Sequence, residues 1–279
     1  MKLTYHSWKD YQECPKKYYL KHIKKAPPTE PINKYFALYG KTVEKFFELF
    51  SNSWKKQTPY MPPEYIRKKL MPIYDSLLGT EIIDWGAPFA KLSREDIFEQ
   101  AYRDICTIMD SPNQNLFLNT QSEVSIKVKT KDGDVISSRI DFIHENPTSK
   151  GSITIIDGKG TNKIGKNISK DQVILYCLMY YFHTGVMPIA AQFFYYRMNQ
   201  IVPVEINLDI INEMRARISL AFKTIKEDKN FEPTASYKSC RYCDYRTPCL
   251  ARIKREASSK RKKSKIQLPD VVGVQEFSF

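Results

Sequence analysis

Two short runs constrain the fold of this chain more than any others: Ser138-Arg-Ile-Asp-Phe-Ile-His144 and Ile153-Thr-Ile-Ile-Asp-Gly-Lys-Gly-Thr161. Each is an apolar strand pattern carrying an acid, and the second sets a lysine two residues past its acid. Side chains alternate along a strand, so Asp157 and Lys159 share one face. If the two strands are neighbours, Asp141 joins them. Carboxylates a few ångströms apart repel, and they become sensible with a divalent cation between them. A lysine beside that cation can hold a water or a phosphate oxygen, which predicts a hydrolytic site for a phosphodiester. The plain alternative is a surface Asp-x-Lys ion pair.

The surrounding pattern is mixed α/β. Glu123 to Lys129 alternates apolar and polar residues, and Asp132-Gly133 turns it into Val135 to Phe142. Asn146-Pro147 and Gly151 turn the chain again into Ile153 to Asp157, so three consecutive strands carry the acidic face. Pro188 to Arg197 predicts a further strand, and Val202 to Leu208 an edge strand because Pro203 cannot donate to a ladder. Helices are expected from Asn33 to Phe50, from Ser169 to Thr184 and from Ile210 to Lys226. Gly40 lies inside the first of these at a cost of about 1 kcal/mol against alanine, which predicts close approach by another backbone. Glu44 follows one turn later. Gln172 and Tyr176 lie four apart and share a helix face, directed at the acids; alternatively Ser169-Lys-Asp-Gln172 is a capping box that uses Gln172 locally. About 54–110 reads as a helical insertion, with helices over Pro62 to Leu78 and Ser93 to Met109. At the start, Ser7 opens a helix broken at Pro15 and resumed to about Lys25, with Tyr18, Tyr19 and Lys21 either packed or facing nucleic acid.

The net charge of +13 over 279 residues suits a polyanionic partner, and nucleic acid fits better than membrane because no basic amphipathic helix or lipidation motif stands out. The longest apolar run, Val173 to Phe182, is too short to cross a bilayer, and the start is too polar for a signal peptide, so a soluble, cytoplasmic protein is expected. Arg252 to Lys265 holds eight basic residues against Glu256 alone. That tail, 251–279, is expected to attract phosphates non-specifically, and its end, Gln275-Glu-Phe-Ser-Phe279, to offer a docking peptide to a protein partner. Cys240, Cys243 and Cys249 form a C-x2-C-x5-C run, a ligand-like spacing rather than a disulfide framework. Cys14 is the natural fourth ligand, since Cys106 and Cys177 fall on apolar helical faces. Spacing alone leaves zinc and an iron–sulfur cubane both open.

In this order, Glu44 after Gly40, Asp141 in Arg-Ile-Asp, Asp157-Gly-Lys159 and Gln172-x3-Tyr176 resemble the motifs of the PD-(D/E)XK nucleases, RecB-like branch. Cys14 with Cys240, Cys243 and Cys249 resembles the iron–sulfur variant of that branch, seen in the AddB nuclease domain and CRISPR-associated RecB-like exonucleases. The resemblance implies a restriction-endonuclease-like mixed sheet flanked by helices, forming one nuclease domain over 1–250. Its core would be about 33–53 and 120–226, and a cysteine-ligated metal clasp at 14 and 240–249 would join the two ends of the chain. It also implies Mg2+ or Mn2+ on Asp141, Asp157, the Gly158 carbonyl and Glu44, with Lys159 orienting the nucleophile and Gln172 and Tyr176 positioning DNA. Glu44 stands where the branch usually has histidine. The expected activity is a DNA nuclease, in particular a single-strand exonuclease acting from free ends in recombination, repair or phage DNA processing, in the host cytoplasm if viral. A catalytically degenerate DNA-binding scaffold is the alternative, and an RNA substrate a third reading.

Overall fold

The computed structural model describes residues 1–28, 35–53, 61–81, 83, 85, 90–165, 168–234, 240, 243–245 and 249. The basic tail at 251–279 and its terminal aromatics lie outside the described residues. The chain divides into two compact units, one of Met1–Lys9 and Ile32–Asn230, the other of Asp10–Pro31 and Phe231–Phe279.

The first unit is built on a mixed sheet. Strands β2 (Thr120–Lys129), β3 (Val135–Glu145) and β4 (Ile153–Lys159) form an antiparallel meander, followed by β5 (Ala190–Tyr195), parallel to β4, and β6 (Gln200–Val204), antiparallel to β5. Gly133 takes φ +79 in the tight β2–β3 turn, a backbone that glycine adopts without strain. β6 is an edge strand and contains Pro203, where the missing N–H costs no ladder bond. The pattern of Met1 to Thr4 gives no sign of a strand, yet β1 (Lys2–Leu3) pairs parallel to Val135 and Ile136. The α-ammonium of Met1 explains this: it pairs with Asp134 at 2.8 Å, and Lys226 reaches the same carboxylate at 2.6 Å.

Helix α3 (Tyr35–Ser53) lies against the sheet through rings. Phe47 stacks on Phe117 at 3.9 Å, and Phe117 meets Phe142 and Phe194 edge-on at 5.2 and 5.4 Å. Helices α4 (Pro63–Thr80) and α5 (Arg94–Met109) add Ile66, Leu70, Ile97 and Ile105 to the same buried cluster. Ser93 caps α5 in a reciprocal box with Asp96. Since Phe142 and Ile156 enter this cluster, the residues one step along, Asp141 and Asp157, take the opposite face.

Gly40 and Gly160 touch. A Cβ at Gly160 would stand 2.8 Å from the Gly40 Cα, a backbone atom that cannot rotate away. Gly160→Ala is therefore expected to lower stability by about 1–3 kcal/mol, read by thermal unfolding. Gly79→Ala, in α4 with nothing within 4 Å, supplies the control and should gain roughly 0.5–1 kcal/mol. Equal melting temperatures for the two variants would refute the backbone contact.

Helix α1 (Tyr5–Glu13) stops before Cys14, whose extended backbone (φ −166, ψ 110) breaks the helix as the following proline requires, and in the second unit Pro15 starts α2 (Pro15–Tyr18). A π-helical turn over Tyr19–Ile23 ends the segment two residues before Lys25. Tyr18 is buried and stacked on Phe231, and Lys21 pairs with the buried Asp10 alongside Lys17 and His22. Packing, rather than exposure to nucleic acid, accounts for Tyr18.

Among the described residues, no helix is long and apolar enough to cross a membrane.

Candidate active site

The ladder between β3 and β4 ends at Phe142 and Ile156. One step further, Asp141 and Asp157 stand opposite each other, like charges directly across a sheet, an arrangement that destabilises it. Beyond them the strands part. The Gly158 amide, which would next bond to β3, donates instead to Asp141 Oδ2 at 3.0 Å. Where the strands separate, a cavity of about 610 Å3 opens, lined by Glu44, Asp141, Asp157, Gly158, Lys159, Gln172 and Tyr176. All seven residues singled out from the sequence for the metal and the chemistry thus meet in one place.

Asp157 has no exposed surface. Lys159 pairs with its Oδ2, while Oδ1 has no hydrogen-bond partner. A buried carboxylate oxygen left open is costly unless something cationic occupies the space in front of it. The Lys159 ammonium also donates to Gln172 Oε1 at 3.5 Å, and Gln172 Nε2 donates to the Tyr176 hydroxyl at 2.7 Å. Helix α6 (Asp171–Thr184) begins one residue past its N-cap, Lys170, which makes no side-chain cap; Ser169 Oγ accepts from the Asp171 amide instead. The capping-box alternative for Gln172 falls, because its side chain is committed to Lys159 and Tyr176.

Burial, followed by the charges of Asp157 and Glu44, pushes Asp141 well above the usual carboxylate range. Burial also raises Asp157, with Lys159 opposing it. For Glu44, burial and then a hydrogen bond and charge from Glu123 push the pKa up to about 7.

Three residues escaped the sequence reading. Glu123 lies with Glu44 and Asp141, one carboxylate oxygen of each within 4.8 Å of the others. Its signal was present in the hairpin register: with Val124 opposite Ile140 and Ser122 opposite Phe142, Glu123 must face Asp141. Tyr196 is fully buried, its hydroxyl beneath Gly158 and without a hydrogen-bond partner. A Cβ at Gly158 would overlap that hydroxyl, which explains glycine between the acid and the lysine. Tyr5 opens on the cavity from the N-terminal segment and carried no signal at all. Around the acids the wall is basic and hydroxylic: Lys2, Lys127, Arg139, Thr4, Ser125, Ser137 and Ser138.

The profile described as PD-(D/E)XK nuclease superfamily matches residues 2–250. The chain belongs to that superfamily. Its mixed sheet flanked by helices is consistent with the nuclease fold, and members are mostly nucleases that use divalent metals such as Mg2+. A metal-dependent enzyme acting on nucleic acid is the corresponding coarse function. Among curated proteins nothing matches the chain. A solved structure titled "Crystal structure of SSO0001" is similar at 16% identity, covering 88% of this chain and 95% of that one, with a TM-score of 0.33.

The four cysteines singled out from the sequence, Cys14, Cys240, Cys243 and Cys249, all fall in the second unit as free, half-buried thiols. The Cys243 amide donates to the Cys240 carbonyl at 3.4 Å. Among the described residues, no three of the thiols gather within 4.8 Å of one another.

Proposed function

We propose that this nuclease-superfamily protein is a RecB-like DNA nuclease that degrades single strands from free ends. The observation that carries the reading is the open Oδ1 of buried Asp157, set across from Asp141 with Lys159 on the same face. These residues fit a hard cation: Asp141, Asp157 and the Gly158 carbonyl would hold Mg2+ or Mn2+, with Glu44 alongside. When bound, the cation supplies Lewis-acid stabilisation of phosphate charge and lowers the pKa of water.

The chain's own groups do the rest. Lys159, held by Asp157 and Gln172, places an ammonium where it can orient a nucleophile or a non-bridging phosphate oxygen. Tyr176 fixes the Gln172 amide, so the Asp157, Lys159, Gln172 and Tyr176 series is oriented before substrate arrives. Lys2, Lys127 and Arg139 offer cations to the phosphates, and the serine hydroxyls of β2 and β3 donate to them.

The test uses end-labelled linear and closed circular single-stranded DNA with Mg2+ or Mn2+. Degradation of the linear strand with the circle spared supports an exonuclease, and cutting of the circle makes it an endonuclease. Protein that binds both and cuts neither is the DNA-binding scaffold.

The second unit is read as an iron–sulfur clasp. Four thiols are the right donors for a [4Fe–4S] cubane. Anaerobically purified protein is expected to be brown with about four irons per chain. Cys14→Ala should lose the iron and Cys106→Ala should keep it; stoichiometric zinc in place of iron would overturn the reading.

A further inference from the structure

Strand β3 pairs with β2 on one side from Val135 to His144, but its other side is shared between two partners. There β1 takes Val135 and Ile136, β4 takes Phe142 to Glu145, and residues 137–141 between them have no neighbouring strand. The gap opens into the cavity of the acids, because Ser137, Ser138, Arg139 and Asp141 all line it. One polar atom is orphaned there: Ser138 Oγ is shielded from water and has no hydrogen-bond partner. A sheet left open at its middle, with such a hydroxyl unserved, calls for a polar ligand in the gap.

Beside the gap, the face of β2 and β3 that carries Asp141 is laid out in steps. Residues two apart on a strand face the same way, about 7 Å from one another. One step from Asp141 is Arg139, with Ser125 opposite it. Two steps away, Ser137 stands opposite Lys127. At three steps Val135 has Lys129 on one side and Lys2 on the other. The first two steps each pair one cation with one hydroxyl, and the third has two cations. These cations are available to a ligand. Glu123 takes only the Nε of Arg139, at 2.5 Å, leaving two terminal nitrogens on a side chain that is 67% exposed. Lys2, Lys127 and Lys129 are exposed and, among the described residues, form no ion pair.

The repeat matches the separation of successive phosphates along an extended polynucleotide, and a cation beside a hydroxyl is what a phosphate binds. The geometry points to a phosphate track along β3. The phosphate to be cut lies at Asp141 and Asp157, the next at Arg139 and Ser125, the second at Lys127 and Ser137, and the third at Lys129 and Lys2, toward the Asp132-Gly133 turn. This placement rests on the nuclease reading and deepens it, giving one strand of nucleic acid a path and a footprint. Cations and hydroxyls contact the backbone and not the bases, so the track is indifferent to sequence.

The test is a set of double-mutant cycles between protein and oligonucleotide. Oligothymidylates with one phosphate at a time replaced by an uncharged methylphosphonate, stepping inward from either end, are bound to the full chain in Ca2+ and read by fluorescence anisotropy. The protein partners are Arg139→Ala, Lys127→Ala and Lys129→Ala. Each variant should weaken the unmodified strand about two- to fivefold and lower the slope of log affinity against log salt by about 0.7. The couplings should fall in order: the methylphosphonate that no longer costs affinity moves one phosphate further along at each step from Arg139 to Lys127 to Lys129. Arg139→Ala also deprives Glu123 of its partner, so the two lysine variants, which break no ion pair, carry the order by themselves. Lys150→Ala, in the turn between β3 and β4, is the control and should change nothing. Couplings without order, or losses no larger than that of Lys150→Ala, would overturn the track. Cleavage of the unmodified strand in Mg2+ separates the two readings. A parent that cuts but shows no order loses the track alone. A parent that shows the order without cutting keeps the track on a DNA-binding scaffold, and one that neither binds nor cuts loses both.

Discussion

Replacing Asp157 by asparagine is expected to abolish cleavage while making the metal-free protein more stable. The two effects have one cause. Asp157 is wholly buried, faces Asp141 across the ladder and leaves one oxygen without a partner. Three carboxyls, Glu44, Asp141 and Asp157, line one cavity, with Glu123 within 4.8 Å of Glu44 and Asp141; among the described residues, Lys159 pairs with Asp157 and Arg139 with Glu123. Without a cation, removing one charge relieves repulsion and desolvation, a gain of about 1–3 kcal/mol. With substrate, the same change removes a ligand and frees Lys159 from its anchor, and the rate should fall by about 10²–10³ or more. Cleavage assays and melting curves in chelator, run on parent and variant, measure both. A variant that cuts at the parental rate removes Asp157 from the chemistry. A variant that cuts poorly and also melts lower makes Asp157 a structural residue instead.

Metal-free protein is expected to lose stability as pH rises from about 4.5 to about 7. Burial and then Glu123 raise the folded pKa of Glu44 from 4.5 to about 7, so between these values the native state binds more protons than the unfolded state. Stability then falls with pH, by up to about 3 kcal/mol for a shift of this size. Asp141 and Asp157 move in the same direction and steepen the decline. On the acid side, Asp10 works oppositely. Burial opposes its ionisation, but hydrogen bonds from His22, Lys17 and Lys21 win and hold it below 3.8, so its contribution is present above that value and lost as pH falls through the folded one. The optimum of the metal-free protein should therefore lie nearer pH 4–5 than the usual 5–8. Saturating Mg2+ binds the ionised carboxylates and should flatten the upper limb. Chelated protein that melts at one temperature from pH 4.5 to 7 would contradict the raised pKa of Glu44.

Much of this arrangement was legible before any coordinates, because strand alternation and turn chemistry are local. The period of two placed Asp157 and Lys159 together, and the Asp132-Gly133 turn fixed the β2–β3 hairpin. Gly40, costly inside a helix, pointed to a close backbone, which is Gly160. What was missed depends on partners distant in sequence. β1 is two residues long and owes its place to an ion pair between Met1 and Asp134. Tyr196 follows a strand like any core aromatic, and only its position beneath Gly158 gives it meaning. Glu123 begins an alternating run as an ordinary exposed acid would, and only counting residues back through the turn reveals that it faces Asp141.

The meeting of Gly40 and Gly160 has a bearing on how such a chain can change over time. Two main chains in contact have no rotamers through which to yield, so the interval between α3 and the end of β4 is set by atomic radii rather than by the fit of side chains. Glu44 is one helical turn from this contact and Lys159 one residue from it. Substitutions among the rings under α3 can therefore alter how firmly the protein holds together while leaving the gauge between its acids and its lysine untouched. Drift in the core and drift in ion preference become separable, and only the two glycines tie them together.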